Sequence, residues 1–359
     1  MPENKETALH VMKGVARNHD GMHATPRRSF KKKQPETVDI AQLANDVRAG
    51  SRLHLSKAIT LVESSNLAHR QQAQKLLQEL LPHTGNAVRI GITGVPGAGK
   101  SSFIEAFGTM LAKQGKKVAV LAIDPSSSLS GGSILGDKTR MEELVKQPNA
   151  FVRPSPTAGT LGGVHKKTRE TMLLCEAAGY DVILIETVGV GQSETYVRGM
   201  VDFFLLLVLT GAGDELQGMK KGIMELADTI VVHKADGDNV RPAKRTVQEY
   251  KQILHFLQPA TPGWVTRALA VSSLEQKGLT DVWDTINEFV QTGEQNHYFS
   301  IRRREQTRDW FRSMITDHLI DTFYGNSQNK EQVSQLERQI LNGELTVSQG
   351  VESLFTNET

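Results

Sequence analysis

Apolar positions recur along this chain with two different periods, and the switch between them predicts the architecture. Ile40, Leu43, Ala44 and Val47 stand at helical spacing, and Gly50-Ser51 supplies a stop signal. Further helical stretches cover 56–65 and 68–81, with Leu61, Ala73, Leu77, Leu80 and Leu81 as their apolar positions, and Pro82 and Gly85 end them. The helical period then gives way to short runs that are apolar almost throughout, at 88–93, 118–123, 151–152, 182–185, 203–209, 230–233 and 268–272. Helical segments are predicted between them at 101–113, 166–178, 218–227, 240–257 and 279–292. Strands without a polar face, alternating with helices, require a mainly parallel sheet covered by helices on both faces, an α/β fold.

The pattern changes again beyond Gly293. Residues 298–323 read as a charged amphipathic helix in which Trp310, Phe311, Met314, Ile315 and Leu319 lie among Arg302, Arg303, Arg304 and Arg308, and shorter helices are expected near 331–341 and 347–355. An aromatic stripe of this kind needs a covering surface, which predicts a dimerisation or partner-binding arm over 294–359. Residues 36–86 form the expected N-terminal helical segment and 87–293 the main domain. The polar, Gly/Ser-rich stretch 126–139 has no period, and loops of that length inside a domain are usually functional.

Composition narrows the class. In 359 residues, 38% apolar and 23% charged, Lys and Arg exceed Asp and Glu by only 42 to 40, so a soluble globular protein is expected and a nucleic-acid partner is not. Charge is concentrated at the start: residues 1–35 carry eight Lys/Arg against three Asp/Glu and read as a disordered basic tail, without the apolar core of a secretory signal. The single cysteine, Cys175, rules out an internal disulfide and points to a reducing, cytoplasmic setting. The longest apolar run, 203–209, is far short of the roughly twenty residues needed to cross a bilayer, so no membrane association is expected.

Candidate chemistry is concentrated at strand ends. Gly94, Val95, Pro96, Gly97, Ala98, Gly99, Lys100 and Ser101 fit the phosphate-loop pattern, directly after a strand and opening a helix that continues with Ser102. There the glycines allow backbone N–H groups to curl around a β-phosphate, Lys100 reaches the β/γ oxygens, and the Ser101 hydroxyl ligates Mg²⁺. Glu186, at the end of the buried run 182–185, is assigned to the metal shell, and the N–H of Gly189, three residues on, to the γ-phosphate. Asp124 and Asp137 are further acids near the metal or the attacking water. Val190 follows Gly189 where Ras-like proteins carry a water-orienting glutamine, so slow unassisted hydrolysis is expected. His233, Lys234 and Asp236 end another buried run. The Asp236 carboxylate suits the N1–H and N2–H₂ of guanine, Lys234 stacks along the base, and the loop Ser272, Ser273 and Leu274 presents N–H to O6. GTP is therefore favoured over ATP.

Four longer runs carry a resemblance: DPSSS at 124–128, GGSILGDKTRM at 131–141, ETVGVGQSE at 186–194 and GAGDELQGMKKG at 211–222. They resemble the methylmalonyl-CoA mutase-associated GTPases, the family of bacterial MeaB and ArgK and the mitochondrial MMAA type, over about 41–323. The resemblance implies a phosphate-loop GTPase with N- and C-terminal helical extensions, acting as a chaperone of an adenosylcobalamin-dependent acyl-CoA mutase and dimerising through its C-terminal arm. It further implies Ser101, Asp137 and Glu186 around Mg²⁺, Asp124 placing the water, and 210–222 as an additional switch in which Gln217, Lys220 and Lys221 couple nucleotide state to the mutase. Adenosylcobalamin would belong to the partner, since no Asp-x-His-x-x-Gly motif is present. The chain departs from the family at His233, where Asn is usual. Two other readings are a kinase linked to basic amino-acid transport, a label given to some family members, and a metallochaperone GTPase, which the single Cys argues against.

Overall fold

A computed structural model describes residues 39–64, 66–124, 141–156, 161–187, 193–211 and 221–355. Seven strands form one sheet in the order β3-β2-β4-β1-β5-β6-β7, every neighbouring pair parallel. They are β1 (Val88–Gly94), β2 (Val118–Asp124), β3 (Ala150–Pro156), β4 (Val182–Glu186), β5 (Phe203–Val208), β6 (Thr229–Val232) and β7 (Arg267–Ala270). All six residues of β5 are buried, as expected of a strand covered on both faces.

Alternate side chains serve two different layers, because successive residues of a strand point to opposite faces. Ala119, Leu121, Ile183 and Ile185 pack under α1 (Ile40–Arg48), α2 (Arg52–Glu63), α3 (Leu67–Leu80) and α6 (Leu161–Ala177). Val118, Val120, Val182 and Leu184 face the other way, toward α4 (Lys100–Lys113), α5 (Glu142–Lys146) and α10 (Leu279–Gln295). A third cluster joins β5 and β6 to α8 (Lys221–Leu226) and α9 (Val240–His255) around the fully buried Tyr250. The N-terminal helices thus complete one face of the sheet. Asp39 and Asn66 cap α1 and α3 by accepting from Gln42 N and Ala68 N at 3.1 and 2.9 Å.

Two helices escaped the hydrophobic pattern. α5 and α7 (Ser193–Arg198) are only five and six residues long, too short to display a period. α7 opens at Ser193, seven residues beyond the end of β4.

Residues 298–323 do form a helix, and it runs further, as α11 (Tyr298–Gly325), followed by α12 (Ser327–Leu341) and α13 (Val347–Phe355). The root of α11 is tied to the sheet: Arg303 donates to Ala87 O and Asp202 Oδ1 at 2.7 and 2.8 Å, and Gln306 Nε2 to Val201 O at 2.8 Å. Further along, Phe311 and Leu319 are 66% and 64% exposed, so the stripe is covered only at its beginning.

Candidate nucleotide site

The sheet carries its chemistry at the C-terminal ends of its strands, where open α/β sheets bind ligands. β1 leads into the phosphate loop, and Gly94 lies so close to β5 that an added Cβ would stand 2.4 Å from Leu207 O. Gly97 and Gly99 hold φ of +83° and +85°, a region that favours glycine. Gly99 is the residue before α4, so the loop delivers the orphan N–H groups of a fourteen-residue helix to one point.

Lys100 is buried, and its Nζ donates to Gly94 O at 2.8 Å, folding the ammonium back over the loop. Burial pushes its pKa below the ordinary lysine value, while the carboxylates of Glu186 and Glu194 push it back up. Glu194, buried in the first turn of α7, is a residue that strand-end reasoning passed over, because it sits beyond β4 on a helix too short to recognise.

Ser101 Oγ donates to Glu186 Oε1 at 3.0 Å. A hydroxyl and a carboxylate from different elements meeting beside the phosphate loop are hard oxygen donors of the kind Mg²⁺ takes, so the residues present fit that ion. Glu186 pairs in register with Ile92 of β1 and Ala122 of β2, which brings the backbone of Asp124, two residues on, to the same edge of the sheet. Behind them Thr187 Oγ1 donates to Thr93 Oγ1 at 2.9 Å in a buried contact that locks β4 to β1. Asp124 and Lys221 are described in their backbone alone, and Asp137, Gly189, Gln217 and Lys220 lie outside the described residues, as do the basic tail and segment 126–139.

The residues expected to recognise the base gather just beyond the ends of β6 and β7, on the same edge of the sheet. A cleft of about 570 Å³ is lined by Ser102, His233, Lys234, Asp236, Ser273 and Leu274. Lys234 adopts a left-handed φ of 58°, a strained conformation of the kind found at ligand sites. Its carbonyl is held by Asn239 Nδ2 at 2.7 Å, and Asn239 Oδ1 accepts from Thr210 Oγ1 at 2.6 Å, so the base loop is bonded to the first residue of the 210–222 segment. Asn239 was not legible as a site residue; only the fold brings it there. Asp236 Oδ2 accepts from Ser272 Oγ at 2.8 Å, and that oxygen accepts in turn from Glu275 N at 3.0 Å. Leu274 is 84% exposed beside it.

His233 lies between the phosphate loop and the 272–274 loop. It is 2% exposed, and both ring nitrogens meet protein atoms: Nδ1 lies 2.7 Å from Ala98 O and Nε2 2.6 Å from Ser273 Oγ.

Comparison with known proteins agrees with this geometry. The family model described as methylmalonyl Co-A mutase-associated GTPase MeaB matches residues 55–328. A probable GTPase of Mycobacterium tuberculosis is 52% identical over 311 residues, covering 87% of this chain and 92% of the relative. The mitochondrial methylmalonic aciduria type A homolog of Mus musculus is 45% identical over 88% of this chain and 79% of its own length. Among solved structures, one titled LAO/AO transport system kinase superposes with a TM-score of 0.71 at 37% identity, over 88% of this chain and 96% of that one. With a phosphate loop at the strand ends and a family match across 55–328, this chain is a GTPase and belongs to the methylmalonyl-CoA mutase-associated GTPase MeaB family.

Proposed function

We propose that this GTPase is a cytoplasmic, homodimeric chaperone of an adenosylcobalamin-dependent acyl-CoA mutase, with methylmalonyl-CoA mutase as its client, and that it couples GTP state to loading or protection of the mutase cofactor. The observation that carries this reading is the family match over 55–328, whose description names the mutase. The name of the mouse relative points the same way. The exposed apolar positions Phe311, Ile315 and Leu319 of α11 support a dimerisation arm.

In this reading Lys100 leaves Gly94 O for the β/γ-phosphate oxygens, and the N-terminus of α4 faces the same charge. Ser101 and Glu186, with Asp137, would hold Mg²⁺, which would neutralise charge on the phosphates. Asp124 places the attacking water, and Asp236 takes the guanine N1–H and N2–H₂. Because Val190 stands where a water-orienting glutamine would be, the active geometry is completed on the client. Ordering of the 210–222 segment by the mutase, through Gln217, Lys220 and Lys221, raises turnover by roughly 10 to 10³-fold, or ~1.4 to 4 kcal/mol of barrier.

The test is a GTPase assay with and without purified mutase, alongside co-purification of the two chains. Stimulation in the complex, lost in Lys220→Ala/Lys221→Ala with the basal rate retained, is expected. No complex and equal rates would remove the chaperone reading. Transfer of labelled γ-phosphate to a protein acceptor instead of water would favour a kinase, the activity named for the solved relative.

A further inference from the structure

His233 sits between the phosphate loop and the base loop, and its two contacts dictate its protonation pattern. A carbonyl oxygen only accepts, so the 2.7 Å contact with Ala98 O requires the proton on Nδ1. In a neutral ring Nε2 then has only a lone pair, and the 2.6 Å contact with Ser273 requires the serine hydroxyl to donate to it. The surroundings hold the ring in this pose: Phe103 stands edge-on at 6.0 Å between centroids, and a Cβ on Gly99 would come within 2.8 Å of the imidazole. Burial lowers the His233 pKa, with the Lys234 charge adding to that and the Ala98 and Asp236 oxygens opposing it.

We infer that His233 is a positioning residue that ties the phosphate loop to the base loop as an Nδ1–H imidazole, and that it offers the nucleotide base no hydrogen bond, so this pocket does not read N7 of the purine. This rests on the reading of the cleft at Asp236 as the guanine site. An asparagine at 233 has two amide N–H groups and one carbonyl, enough for Ala98, Ser273 and N7 together. Imidazole has two nitrogens, and both are used. Base identity is then carried by Asp236 and the 272–274 loop, while His233 sets where Ser273 stands.

The experiment compares GTP with 7-deaza-GTP, which lacks the N7 acceptor, and with ATP, by titration calorimetry on the full chain. The wild type should bind GTP and 7-deaza-GTP within about twofold of each other, whereas His233→Asn should prefer GTP by about fivefold, the worth of one neutral hydrogen bond. A wild-type preference for GTP over 7-deaza-GTP of fivefold or more would overturn the inference. The tautomer is read independently of any variant's activity, from ring ¹⁵N shifts of the nucleotide-free chain, with the His233 signals assigned by their loss in His233→Gln. An Nε2–H tautomer would overturn the tie to Ala98. If ATP binds as tightly as GTP, the guanine reading of the cleft falls, and the claim about N7 falls with it, while the ¹⁵N shifts still decide the tie between the loops.

Discussion

Arg198, the last residue of α7, is clamped to Asp228 at the head of β6: Nη2 donates to Oδ1 at 3.2 Å and Nη1 stands 3.0 Å from Oδ2. Asp228 is fully buried and also accepts from Phe204 N at 2.8 Å and Thr261 Oγ1 at 2.6 Å. The residues that follow α7 are bonded to the C-terminal arm, since Arg302 Nη1 donates to Asp202 O at 2.6 Å and Gln306 Nε2 to Val201 O. The helix carrying Glu194, whose charge acts on Lys100, is therefore anchored at its far end by a buried ion pair and, just beyond, by the root of α11.

Removing one partner of such a pair leaves a buried charge uncompensated. Arg198→Ala should lower stability by about 3–5 kcal/mol, read from urea unfolding. A loss below about 1 kcal/mol would mean that Asp228 is satisfied by Phe204 N and Thr261 alone and that the clamp contributes little.

Lys100→Ala should bring GTP turnover below detection and weaken nucleotide binding, because this is the lysine that the loop itself folds over its own carbonyls, ready for the β/γ oxygens. Lys100 already lies buried at the head of α4, so circular dichroism is needed to show that the variant is folded. Unchanged turnover in a folded variant would remove the assignment.

Asp236→Asn should shift preference from GTP toward xanthosine triphosphate, whose 2-oxo group accepts from an amide. The hydrogen bond from Ser272 Oγ reaches one side-chain oxygen of Asp236, and the asparagine can keep it through its remaining oxygen while turning its N–H₂ to the base. Competition binding with the two nucleotides measures the shift, and retained selectivity for GTP would place guanine recognition elsewhere.

How much of this was legible in the sequence depended on the range of the interaction. The seven strands, the phosphate loop and Lys234-x-Asp236 are local patterns, because a strand buried on both faces must be apolar throughout and a loop around phosphate must have glycines at fixed offsets. The strand of His233 illustrates the boundary: β6 ends at Val232, one residue before the apolar run stops, although His233 N still donates to Val208 O at 2.8 Å. The run was visible, while its last hydrogen bond was not.

The sequence by itself determined the α/β class, the seven strands and the longer helices between them, the phosphate loop and the Lys234-x-Asp236 pattern proposed to meet guanine, since each is written within a few neighbouring positions. Only the tertiary structure decided what His233 touches, that Glu194 lies near Lys100, that Asn239 bonds the base loop to Thr210, and that Arg302 and Gln306 root the arm instead of facing water. Each of these joins residues far apart in the chain, from 29 positions between Thr210 and Asn239 to 135 between Ala98 and His233. Such partners are chosen by the parallel crossovers that stack strand ends along one edge of the sheet, a constraint no local period records.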